Sequence, residues 1–172
     1  MHETKEELVS DMSSFNFGFG RAMGAGKVKF LDLTGKEDRR VLSNYGMESG
    51  LTSRLASMIQ ETGVERAVVD STMLLKHFVQ EPDQEITDFV TALKSTDATI
   101  FLISEMTDPT AYSEEHYLAH GVIFFHNFLK SSGMTRAVQA IKMRGTSIDC
   151  DMRKVGFSEK GLTVYPDSKI RE

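Results

Sequence analysis

The sequence predicts an α/β protein: a mostly parallel sheet flanked by helices, followed by a C-terminal antiparallel β-meander. Three observations lead there. Up to about residue 106, short apolar runs alternate with amphipathic helical patterns, as βαβ units require. Two of those runs are continuously apolar rather than alternating, the pattern of strands covered on both faces. Beyond them, four strand-like runs follow one another with tight-turn signals between neighbours.

In chain order, KVKFLDL (27–33) reads as a short bounded strand. GMESGLTSRLASMIQETG (46–63) reads as a helix, because Leu51, Leu55, Met58 and Ile59 recur at helical spacing and Gly63 supplies a C-terminal stop. ERAVVD (65–70) is a strand with Ala67, Val68 and Val69 in one apolar run. STMLLKHFV (71–79) begins a short helix that Pro82 closes off. DQEITDFVTALKSTD (83–97) is a second amphipathic helix, with Ile86, Phe89, Val90 and Leu93 on one face. ATIFLISEM (98–106) is another buried strand, and TDPTAYSEEHY (107–117) a polar loop. AHGVIFFHNFLK (119–130), RAVQAIKMRG (136–145), RKVGFSE (153–159) and LTVYP (162–166) are the four strands of the meander. SSG (131–133) and EKG (159–161) supply turns between them. The expected organisation is a single domain over 1–172, with an α/β core in 1–106 and the loop and meander in 107–172.

Composition narrows the class. An apolar fraction of 40% with 26% charged residues describes an ordinary globular protein. No window approaches the ~20 apolar residues of a membrane span, and the opening MHETKEELVSDM is polar, unlike a signal peptide. The single cysteine, Cys150, excludes an internal disulfide and fits a reducing, cytoplasmic setting; it is expected as a passive strand residue rather than a reactive thiol. Residues 1–129 carry 11 Lys/Arg against 20 Asp/Glu, a net of −9, whereas residues 130–172 carry 9 against 5, a net of +4. An acidic chain does not support nucleic-acid binding through phosphate neutralisation. The basic tail suits a phosphate group or the acidic face of another subunit, and equally a solvated edge.

In open α/β sheets ligands sit beyond the carboxyl ends of the strands. Asp70 with Ser71, and Ser104 with Glu105, fall at two such ends. An aspartate closing an apolar strand is how nucleotide-hydrolysing enzymes hold magnesium; a simple helix N-cap by Asp70 or Ser71 accounts for it equally well. His116 and His120, beside Glu114 and Glu115, have metal-ligand spacing if helical, but the run leads straight into GVIFF, which favours a structural role. Phe124, Phe125 and Phe128 have the character of a base-stacking platform; with Val122, Ile123 and Leu129 around them, a packed sheet face is the expected reading.

The combination is more specific than any part. VVDS, FLISEM, EEHYLAHGVIFF, AIKMRGTSID and GFSEKGLTVYP, in that order, resemble the KaiC-like branch of the RecA-type ATPases. There, a strand running into a gGVI segment is followed by a K-x-R-G-T motif and a closing strand. HETKEELVSDMSSFNFGF resembles the family's EET-x-x-L segment, so the similarity runs from Glu3 to Pro166. It implies a RecA-like fold, ATP and Mg2+ as cofactors, ATPase chemistry, and a homo- or hetero-oligomer with KaiC-like subunits. Asp70 matches the magnesium-side aspartate, with Ser71 and Ser104 beside the nucleotide. Lys142 and Arg144 match basic residues that reach the γ-phosphate of a neighbouring subunit. Glu3 matches the second glutamate of a pair that polarises the attacking water; His2 stands in place of the first.

The resemblance also marks a gap. These 172 residues contain no GxxxxGK(S/T) phosphate loop. GFGRAMGAGKV (18–28) imitates one, but Arg21 stands where the first glycine belongs, Val28 replaces the Ser/Thr, and the stretch precedes a strand instead of following one. The family's first strand or strands and its phosphate-loop helix are therefore expected to be missing, making this a partial domain whose sheet exposes an apolar edge that another chain covers. Two functional readings follow. In the first, the chain does not bind or hydrolyse ATP alone and acts in an oligomer with ATP-binding partners, as a pseudo-enzyme. In the second, it is part of a functional ATPase whose phosphate loop is encoded upstream or separately.

Overall fold

A computed structural model describes residues 4–32, 40, 50–73, 82–105, 108, 110–131 and 133–170. The chain divides into two compact units, Met1–Leu33 with Gly121–Glu172, and Thr34–His120.

The second unit holds the parallel part of the fold. Helix α3 (Leu51–Thr62) ends where the sequence places its stop: Gly63 takes the left-handed conformation at φ 62° and donates its N–H to Gln60 O. Strand β1 (Arg66–Asp70) follows, then α4 (Pro82–Lys94), strand β2 (Thr99–Ile103) and the short helix α5 (Glu114–Leu118). Pro82 opens α4, as suits a residue with no N–H to lose in a first turn. Thr72 and Met73 are helical; the rest of the helix expected over 71–79 lies outside the described residues. α3 packs on α4 and α4 on α5. Their buried side chains, Leu55, Ala56 and Ile59 with Ile86, Phe89, Val90 and Leu93, form the core of this unit. The predicted amphipathic face of α4 is thus its core face.

β1 and β2 pair in parallel, Arg66 opposite Thr99 through to Asp70 opposite Ile103. Both strands alternate exposed and half-buried residues along their length. This corrects the expectation of strands buried on both faces: Val68 is 65% and Phe101 52% exposed. A period of two sends alternate residues to opposite faces, and only one face of this pair is sheltered.

The first unit holds the meander. β3 (Gly121–Lys130), β4 (Gly133–Met143), β5 (Arg153–Ser158) and β6 (Gly161–Lys169) form one antiparallel sheet in sequence order. Its two hairpin glycines, Gly133 (φ 115°) and Gly161 (φ 94°), occupy conformations that L-residues avoid, as the turn signals required. Phe124, His126 and Phe128 line one face of β3, with ring centroids 4.5 and 5.3 Å apart. His126 Nε2 lies 2.8 Å from Gln139 Oε1, and Gln139 Nε2 donates to the Cys150 carbonyl at 2.7 Å. Phe125 points the other way and is 56% exposed, so the phenylalanine run packs on one side only. Cys150 is exposed in the connection between β4 and β5, at φ 52°, not in a strand.

The N-terminal segment joins this unit. α1 (Lys5–Ser13) carries a reciprocal cap, with Thr4 N–H donating to Glu7 Oε2 (2.8 Å) and Glu7 N–H to Thr4 Oγ1 (3.2 Å). Asn16 N–H donates to the Glu159 carbonyl at 2.6 Å, in the turn between β5 and β6. α2 (Phe19–Gly24) then precedes residues 27–32, which form no strand. An extended run is a strand only when a neighbour satisfies its backbone, and among the described residues none pairs with this one.

Charge closes the meander. Arg153 pairs with both Asp149 and Asp151 (3.3 Å to the latter), and Lys169 pairs with Asp151. The Asp151 N–H donates to Asp149 Oδ1, and with Arg153 it holds the Asp149 carboxyl below the usual carboxylate range. A carboxyl lowered in the folded state contributes stability above its ordinary range, and that contribution disappears as pH falls through the lowered value. Replacing Asp149 by Asn is therefore expected to shrink the drop in urea midpoint between neutral pH and about pH 3. An unchanged drop counts against this linkage.

Candidate functional site

The parallel register brings the two candidate strand ends together. Asp70 closes β1 directly opposite Ile103, so Ser71 and Thr72 leave one strand beside Ser104 leaving the other. Asp70 is exposed, Ser71 and Ser104 are half-buried, and the Asp70–Ser71 peptide is cis. A parallel sheet puts every such end on the same side, which is why ligands collect there.

Behind these residues lies a polar cluster that sequence reasoning missed. Glu115, in α5, is 5% exposed, and Thr72 is 2% exposed. Ser104 Oγ donates to Glu115 Oε1 at 3.1 Å, and Thr72 Oγ1 donates to the same oxygen at 3.5 Å. A buried carboxylate is tolerated only when hydrogen-bonded, and these hydroxyls come from the segments that leave β1 and β2. His116, also buried, has its Nδ1 2.9 Å from the Ser113 N–H and 2.8 Å from Ser113 Oγ. A backbone N–H only donates, so Nδ1 is the accepting nitrogen of the ring. This corrects the reading of 107–117 as loop throughout: Ser113 starts a helical turn that turns Glu115 inward. The signal was legible as Ser113 followed by two glutamates, a helix-start pattern.

The oxygen donors at this end, exposed Asp70 with half-buried Ser71 and Ser104, suit a hard divalent cation. Magnesium takes one or two carboxylates and completes its shell with phosphate oxygens and water, so a lone aspartate with neighbouring hydroxyls fits it. No group of three or more His, Cys, Asp or Glu among the described residues makes a metal cage. His116 and His120 form no such group: the first is buried in α5, the second exposed just before β3.

Lys142 and Arg144 lie in the other unit. Lys142 is half-buried near the end of β4, opposite Val122, and Arg144 is exposed in the turn just past the strand, before Gly145 at φ 73°. Glu3 lies outside the described residues. The imitation loop at 18–28 is resolved by its order: Gly26 and Lys27 come after the helix α2, whereas a phosphate loop opens one. No described helix is long and apolar enough to cross a membrane.

A parallel pair ending at Asp70 and Ile103, followed in sequence by an antiparallel sheet, agrees with a RecA-type α/β fold. The structure matches a KaiC-like protein from the hyperthermophilic archaeon Pyrococcus horikoshii OT3 with a TM-score of 0.74 at 22% identity, over 96% of this chain and 72% of that one. Residues 1–169 match the family model described as ATPase: KaiC, and the chain belongs to that family. It is 24% identical to the circadian clock oscillator protein KaiC of Synechococcus elongatus over 98% of its own length and 34% of the relative's. To the KaiC of Prochlorococcus marinus it is 26% identical, over 98% and 35%. The chain thus spans about a third of the length of the curated relatives it matches.

Proposed function

We propose that this chain contributes to magnesium–ATP chemistry within an assembly, supplying the metal side of a nucleotide site and cations for a neighbouring one. The observation that carries the reading is the exposed carboxylate of Asp70 at the end of a parallel strand, in register with the strand that leads to Ser104. In this reading Asp70 would hold the water shell of Mg2+ and Ser71 would donate to nucleotide oxygens, while Ser104, whose hydroxyl proton goes to Glu115, would accept from that shell. Magnesium, when bound, neutralises phosphate charge.

The phosphate cradle is a separate matter. In this superfamily it is built from backbone N–H groups and a lysine of a glycine-rich loop, and these 172 residues contain no such motif. We infer that the cradle comes from outside these 172 residues, and that these residues alone hold ATP weakly. Lys142 and Arg144 sit where a cation can be presented: at the end of a strand and in the turn beyond it. Such trans-acting cations stabilise the charge that develops on the transferring phosphoryl group. Homo- or hetero-oligomers with KaiC-family subunits are the expected partners.

Calorimetric titration of the purified 172-residue chain with Mg–ATP is expected to give no tight binding; tight binding overturns the need for an external cradle. When the chain is co-assembled with a phosphate-loop-bearing KaiC-family subunit, Lys142→Ala with Arg144→Ala is expected to slow ATP hydrolysis by about 10³-fold. An unchanged rate in an intact assembly removes both residues from the mechanism.

A further inference from the structure

Glu115 is a buried acid that the magnesium reading does not use, and its partners make it more than filler. One oxygen, Oε1, accepts from Ser104 Oγ at 3.1 Å and from Thr72 Oγ1 at 3.5 Å. Thr72 follows Asp70 by two residues, and Ser104 follows the residue paired with Asp70. Thr72 and Glu115 are both buried, so little water competes for the link between them. α5, which carries Glu115, is itself held: Lys94 Nζ donates to the Leu118 carbonyl at 3.4 Å, and α5 packs on α4.

We propose that Glu115 is a positioning residue that couples the Asp70 end of β1 to the Ser104 end of β2. The proposal rests on the magnesium reading of Asp70. A ladder of backbone bonds fixes the two strands only as far as Asp70 and Ile103. Past that point the ladder ends, and the shared carboxylate oxygen bridges Thr72 and Ser104. A cation drawn to Asp70 pulls on the segment 70–72; through Thr72 and Glu115 the displacement reaches Ser104. The geometry therefore gives the site a built-in means of registering metal on one strand at the next.

A purely structural Glu115 stabilises the fold without transmitting anything, and the two roles separate in a magnesium titration of the isotopically labelled chain followed residue by residue by NMR. In the wild type, the amides of Asp70 and Ser104 are expected to shift together as Mg2+ is added, and neither is expected to move in Asp70→Asn. In Glu115→Ala, Asp70 still responds and the Ser104 response is lost; Glu115→Gln, which keeps the accepting oxygen, restores it. Thr72→Val cuts one arm without disturbing the acid and serves if Glu115→Ala does not fold; it is expected to lose the Ser104 response too. A Ser104 shift that persists in folded Glu115→Ala or Thr72→Val overturns the coupling and leaves the magnesium reading standing. If Asp70 itself fails to respond in the wild type, the magnesium reading falls and the coupling falls with it.

Discussion

Parallel pairing between two five-residue strands sets everything else in the site. Parallel strands begin and end on the same sides, so residues that follow them are brought together by topology before any side chain is chosen. With Asp70 opposite Ile103, three oxygen-bearing residues arrive at one end: Asp70, Ser71 and Ser104. A shift of one residue in that register would send Asp70 to the other face of the sheet. In the same unit α3 and α4 bring Leu55, Ile59, Ile86, Phe89 and Val90 into one core.

The other face of the same strands is the unusual part. Val68, Phe101 and Ile103 are large, apolar and exposed, whereas parallel sheets are ordinarily covered on both sides. The meander reaches a different balance. Its rings at Phe124, His126 and Phe128 occupy one face, and its open end is closed by Arg153 and Lys169 against Asp149 and Asp151. The opening segment adds to it through Asn16 and the Glu159 carbonyl, which is how residues at the two ends of the sequence come to share a unit. One unit carries the carboxylate and hydroxyls, the other the basic pair.

Much of this was legible in the sequence, for physical reasons that differ element by element. α3 and α4 announce themselves because a helix must repeat its apolar residues every three or four positions, and Gly63 marks a left-handed stop that few residues other than glycine adopt. The four meander strands were readable because their turns need glycine at Gly133 and Gly161. Asp70 and Ser104 were identifiable because strand ends are where polar residues gather. The depth of β1 and β2 was not legible: a continuous apolar run reports what a strand would bury, not which face finds a cover. The run at 27–32 has strand chemistry but joins no strand among the described residues, and strand pairing is a non-local property. Glu115 was hidden for the same reason. Nothing in EEH says which glutamate turns inward until α5 is placed against Thr72 and Ser104.

Divalent metal is proposed at the ends of β1 and β2, in a KaiC-family domain whose phosphate cradle is sought outside these 172 residues. The most direct check is hydroxyl-radical cleavage around Fe2+ substituted for Mg2+, with ADP, in the chain co-assembled with a phosphate-loop-bearing KaiC-family subunit. Cuts are expected beside Asp70 and Ser104 and are expected to vanish in Asp70→Asn. Cuts confined to the acidic pair Asp149 and Asp151, or cuts that survive the loss of Asp70, contradict the assignment of the strand ends as the metal side of the site.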